Sequence, residues 1–168
     1  MVCLKALYQY FTATMDKRVL PFMDKFFKYE YRNLESKPLR GWACARGGEN
    51  MLAALQLYNI TGQKAILSVL MMLVSQGADY TSLYHAFPYR TPISRSFSAD
   101  ELLDALSHED ESCYTHPLLR SANGANLCEG LRTSALCGVL TGSGKHLSAA
   151  EAGLARMNKA HGAAGGGV

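Results

Sequence analysis

The sequence predicts an all-α fold of helical hairpins, and three observations predict it. Apolar residues recur at helical spacing through most of the 168 residues. A short turn centred on threonine occurs three times, each time between two such stretches. The residue after the threonine is glycine in two of the three, which suits a helix that stops and reverses.

The repeats are Leu7–Asp16, Leu55–Gln63 and Ala135–Gly142, in which Thr14, Thr61 and Thr141 align. By their numbering these threonines are 47 and 80 residues apart, so the second interval is longer by 33. A helix–turn–helix unit recurring at about 45–50 residues marks stacked α-hairpins, in a solenoid or a closed toroid.

The elements follow in order. Segments near 4–14, 50–60 and 124–140 read as inner helices, and those near 18–33, 64–76 and 145–160 as outer ones. In the first turn Met15 takes the glycine position and Asp16 can cap the next helix. That helix sets Val19, Met23, Phe26 and Phe27 on one side and Lys17, Asp24, Lys25 and Lys28 largely opposite. Pro21 falls near its first turn, where proline is tolerated. Met51–Ile60 is apolar nearly all round, as a helix buried on all sides is. The most apolar run, Ile66–Val74, is far shorter than the ~20 residues that cross a bilayer. The 33-residue excess maps to an insertion at about 84–119, a cleft wall or a surface loop. It holds Pro88, Pro92, Pro117 and a capping box, Ser98-Ala-Asp-Glu101, ahead of Leu102, Leu103 and Leu106.

Composition bounds the function. Hydrophobic residues make up 48% and charged residues 18%, the balance of a folded domain. The net charge of +3 comes from 17 scattered basic and 14 acidic residues, so no nucleic-acid partner is expected. The N-terminus lacks the pattern of a signal peptide, which points to the cytoplasm and away from membranes. Cys3, Cys44, Cys113, Cys128 and Cys137 form no CxxC pair, so reduced, mostly buried thiols are expected and no metal site or cofactor.

The candidate site lies at Gly41–Asn50. Trp42, Arg46, Glu49 and Asn50 sit at the mouth of an otherwise apolar inner helix. In a toroid of hairpins such mouths line the central cleft. An indole can stack on a sugar face there, and Arg, Glu and Asn can bind hydroxyls. The alternative is that Glu49 serves the helix N-terminus and Trp42 the core. Asn123 and Asn126 open the third inner helix in the equivalent place.

These residues also carry a resemblance. Leu7-Tyr-Gln-Tyr-Phe, Arg18-Val-Leu-Pro-Phe-Met23, Pro38-Leu-Arg-Gly-Trp42, Arg46-Gly-Gly-Glu-Asn50, Leu57-Tyr-Asn-Ile-Thr-Gly62 and Asn123–Leu136 resemble glycoside hydrolase family 127, the β-L-arabinofuranosidases and their relatives. The resemblance spans nearly the whole chain outside the insertion. It implies an (α/α)6 toroid, of which residues 1–168 would supply about three of six hairpins. It implies a sugar of arabinose type bound in the central cleft, a cysteine nucleophile, a glutamate and a cysteine-bound zinc. Those catalytic residues are expected beyond Val168, and none of the five cysteines here matches them. The family usually carries histidine where this chain has Asn123. The chain is thus expected to be truncated at both ends, to bind sugar weakly, to turn over no glycoside and to self-associate through exposed apolar faces. Two other readings remain: an α-solenoid interaction module, and part of another six-hairpin hydrolase or lyase acting on plant-polysaccharide sugars.

Overall fold

A computed structural model describes residues 2–87, 100 and 124–162. All the regular structure among them is helical, so the chain is all-α. The helices are α1 (Val2–Thr14), α2 (Val19–Asn33), α3 (Gly41–Ala45), α4 (Gly47–Thr61), α5 (Lys64–Gln76), α6 (Tyr80–Ala86), α7 (Gly124–Thr141) and α8 (Gly144–His161). The chain divides into two compact units: Met1–Leu39 with Gly47–Gly77, and Arg40–Arg46 with Ala78–Val168. The first therefore holds α1, α2, α4 and α5; the second holds α3, α6, α7 and α8.

The three threonine turns share one hydrogen-bond pattern. Each threonine hydroxyl donates to the carbonyl four residues back: Thr14 to Tyr10 at 2.8 Å, Thr61 to Leu57 at 2.8 Å, Thr141 to Cys137 at 2.6 Å. Each then accepts the amide two residues on, from Asp16 at 3.3 Å, Gln63 at 3.5 Å and Ser143 at 3.3 Å. Between them Met15, Gly62 and Gly142 adopt φ of 55°, 65° and 69°. Their amides bond back to Phe11, Tyr58 and Gly138 at 2.7, 2.8 and 2.9 Å. This left-handed cap satisfies carbonyls that a helix end otherwise leaves open. Only Met15 carries a Cβ in that conformation, at a cost of about 1–2 kcal/mol.

In the first turn Asp16 does more than cap. Its Oδ1 accepts from the Arg18 amide and from Arg18 Nε, both at 3.0 Å, and its Oδ2 accepts from Arg18 Nη2 at 2.7 Å. Those bonds, led by the side-chain contact, hold the Asp16 carboxyl down at about 2.

In the first unit α4 packs on α5 and on α1, and α2 packs on α5, α1 and α4. Val19, Met23 and Phe27 are the residues that α2 buries, as the periodicity predicts; Phe26 stays half-buried, edge-on to Phe27. Each such buried side chain is worth about 1.5–3 kcal/mol. Helix α4 buries Gly47 through Met51, Ala53, Ala54 and Leu57. Gln76 ties down the segment after α2, accepting from the Leu39 amide and donating to the Leu34 carbonyl, both at 3.0 Å.

In the second unit α8 packs on α7 and α6. Tyr80, Leu83, Tyr84, Phe87, Leu127, Ala149 and Met157 form its core. Tyr84 and Phe87, which the sequence places at the start of the insertion, are thus core residues closing α6. Of 84–119, residues 88–99 and 101–119 lie outside the described residues. The N-terminus of α6 is capped by Asp79, whose carboxylate accepts the Ser82 amide at 3.0 Å. At its other end Arg156 of α8 donates to the carbonyls of Tyr84 and His85. The tyrosine rings fit because α7 and α8 have glycines beneath them. A Cβ at Gly130 would overlap both Tyr80 and Tyr84, and one at Gly153 would overlap Tyr84.

Met15 is 65% exposed, so its side chain contributes little packing to offset its backbone strain. Met15→Gly is expected to raise stability by about 1 kcal/mol and Gly142→Ala to lower it by a similar amount, as read from urea denaturation midpoints. Gly130→Ala is expected to cost about 1–3 kcal/mol by overpacking, with the loss of stability measured the same way.

Candidate functional site

The residues singled out by the sequence divide between the two units. Glu49 and Asn50 belong to the first. Glu49 is 8% exposed and its Oε2 lies 3.8 Å from Lys5 Nζ on α1. Asn50 is 2% exposed, and its amide Nδ2 donates to Glu30 Oε1 on α2 at 2.6 Å. Both side chains therefore have partners on neighbouring helices of their own unit.

Trp42, Arg46 and Asn126 come together in the second unit. Local chain geometry makes this corner. Arg40 is extended, Gly41 turns with φ of 50°, and one short helix, α3, follows. Arg46 ends that helix, its amide donating to the Trp42 carbonyl at 3.0 Å. Residues four apart on a helix lie on one face, so the Arg46 guanidinium sits over the Trp42 ring, 5.1 Å from its centroid. A cation–π contact at an exposed site is worth about 0.5–1 kcal/mol. Trp42 is 54% exposed, so it is not a core residue.

The other side of the guanidinium is held by α7. Arg46 Nε donates to Asn126 Oδ1 at 3.1 Å and lies 4.0 Å from Glu129 Oε2. Asn126 is fully buried. Glu129 Oε2 is shielded from solvent and has no hydrogen-bond donor among the described residues. Glu129 is one turn beyond Asn126 on the same helix face, and the sequence reading passed over it. The Asn-x-x-Glu spacing at a helix start was the available signal. Asn123 lies outside the described residues.

The corner is tied to its unit by tyrosine hydroxyls. Tyr80 donates to the Ala45 carbonyl at 2.8 Å, and Tyr84 donates to the Leu127 carbonyl. The two rings stack with centroids 6.0 Å apart. Burial, with smaller contributions from Tyr80 and Cys128, pushes the Tyr84 hydroxyl far above its ordinary range, so it serves as a neutral donor. The amide of Ala78 donates to the Cys44 carbonyl at 3.2 Å.

A second polar cluster joins α6, α7 and α8. Thr81 Oγ1 is 2.7 Å from His146 Nδ1 and 3.5 Å from Ser134 Oγ. Burial works to raise the Asp79 carboxyl, but its two bonds from Ser82 and the charges of Lys145 and His146 bring it below its ordinary value. Cys137, on α7, is pushed up to about 11 by burial and then by Asp79, so it is an inert thiol at neutral pH.

The remaining cysteines depart from the expectation of buried, reduced thiols. Cys3 and Cys128 are exposed and free, while the buried Cys44 is disulfide-bonded. No group of three or more His, Cys, Asp or Glu among the described residues converges on a point where a metal could bind. No single helix among them is long and apolar enough to cross a membrane. Comparisons with protein-family models, with curated proteins and with solved structures find no match.

Tyr80 holds α3 through one buried bond, so Tyr80→Phe is expected to cost about 1 kcal/mol of stability. It is also expected to loosen the Trp42 corner, seen as a longer-wavelength fluorescence maximum. Trp42 is the only tryptophan, so the signal is unambiguous.

Proposed function

We propose that this chain forms part of a glycoside hydrolase-like toroid of helical hairpins and contributes a sugar-binding wall built on Trp42, Arg46, Asn126 and Glu129. The observation that carries the proposal is the clamped guanidinium. Arg46 is held between an exposed indole, a buried amide oxygen and a carboxylate. A planar donor fixed beside an aromatic face loses little entropy on binding a polyol, because its rotamer is already selected. The Glu129 carboxylate adds an acceptor for a hydroxyl. These are the elements of carbohydrate recognition: an apolar ring face to meet C–H groups, and charged groups in fixed geometry to meet O–H groups.

The resemblance carries the rest of the reading. It makes the ligand an arabinose-type unit of a plant glycan and puts the chemistry, with its cysteine, glutamate and zinc, outside these residues. On this reading the chain alone binds sugar and does not cleave it. The arrangement within the second unit favours this reading over a solenoid module, because the polar groups gather at one corner instead of spreading along successive helices. Exposed apolar side chains on both units, among them Phe22 and Tyr29 on α2 and Val139 and Leu154 on α7 and α8, support self-association of the chain.

Binding is expected to be weak, in the millimolar range or about 4 kcal/mol, since one wall buries little of a ligand. Trp42 fluorescence should report it directly. Titration with a methyl β-L-arabinofuranoside is expected to shift the emission, and Arg46→Ala or Glu129→Gln to weaken that response several-fold. A response that glucose and glycerol reproduce equally, or one that Arg46→Ala leaves intact, would refute the assignment. Turnover of a chromogenic β-L-arabinofuranoside by this chain would show that the catalytic residues are present in it after all.

A further inference from the structure

The first unit contains a polar pair, buried at Asn50 and half-buried at Glu30, with too many acceptors. Asn50 Nδ2 donates to Glu30 Oε1 at 2.6 Å, joining α4 to α2. That bond leaves Asn50 Oδ1 and Glu30 Oε2, both out of contact with solvent and both without a donor among the described residues. An ionised carboxylate and an amide carbonyl can only accept. Two such oxygens buried without donors carry the full cost of lost hydration, and a buried charge adds to it.

One proton on Glu30 removes the part of that cost that comes from the charge. It neutralises the charge and converts one oxygen from an acceptor into a donor. The separation also suits it. A distance of 2.6 Å is short for N–H···O, which prefers about 2.7–3.2 Å, and ordinary for O–H···O. Turning the Asn50 amide over sets its carbonyl against a protonated Glu30 at that distance.

Among the described side chains, no lysine or arginine of the packed helices is paired with Glu30. Glu30 is on α2, which packs against α1, α4 and α5. The charged side chains on those helices are Lys5, Glu49 and Lys64, one on each. Lys5 lies against Glu49. On α2 itself Lys28 pairs with Asp24 at 2.6 Å. Lys25 and Arg32 are exposed to solvent.

We propose that the Glu30–Asn50 contact is a proton-operated latch on the first unit: it holds α2 to α4 while the carboxyl is neutral and loosens when the carboxyl ionises. Burial raises the Glu30 carboxyl above its ordinary 4.5, opposed in part by the Asn50 bond and by the positive amino terminus. For a carboxyl raised in the folded state, the stabilisation is complete below the unfolded value and disappears as pH rises through the folded one. Each unit of elevation corresponds to about a tenfold fall in the folding equilibrium constant across that window.

The test compares the intact chain with Glu30→Gln, which is neutral at every pH and close in shape. Thermal melts from pH 4 to 8 are expected to show the wild-type chain losing stability relative to the variant as pH rises, with the gap opening above pH 4.5. Parallel melting profiles would overturn the proposal. If Glu30→Gln does not fold, a carbon-13 titration of the Glu30 carboxyl in the wild-type chain decides the matter. A midpoint above 4.5 is expected, and one at or below 4.5 would refute the latch.

Discussion

The threonine turn is the constraint on which the rest of the structure depends. A helix cannot reverse direction without abandoning carbonyls, and here one hydroxyl and one left-handed residue satisfy them within a few residues. Because the three turns use the same bonds, each hairpin starts its second helix in the same local geometry. The helices then need only an apolar side to find a partner. In α2 that side is Val19, Met23 and Phe27; in α4 it is most of the circumference.

The hairpins were legible in the sequence because their determinants are local. Thr14, Thr61 and Thr141 sit next to the residues they bond, and apolar spacing reports burial within a single helix. What was not legible depends on distant residues. The five-residue helix α3 has too few residues for a period. Glu30 and Asn50 are on different helices, so nothing in either segment announces the other. The dispersed cysteines suggested reduced thiols, and spacing alone could not reveal that Cys44 is bonded.

The candidate site was partly legible for the same reason. Trp42, Arg46 and Asn126 stood out as unusual side chains at helix mouths, and the structure brings these three together. Glu49 and Asn50 stood out equally, yet they meet Lys5 and Glu30 within the first unit. Proximity in sequence to Trp42 and Arg46 grouped them; the chain divides between its two units after Arg46. Glu129 was missed because glutamate on a helix is usually a solvated residue, and only its place one turn from Asn126 and near Arg46 gives it a role.

The way α6 is finished has a consequence for the order in which this protein is made. The carbonyls at its C-terminal end are held by Arg156, and its tyrosines rest on Gly130 and Gly153. Every helix of the first unit has been synthesised by Gln76, whereas α3, made early, waits for Tyr80 and Asn126 before its bonds to α6 and α7 can form. Domains tend to fold as units while synthesis proceeds. The nascent chain therefore carries the Trp42 corner without its α7 contacts until the α7–α8 hairpin arrives, and a ribosome that stalls in the stretch before α7 leaves it in that state.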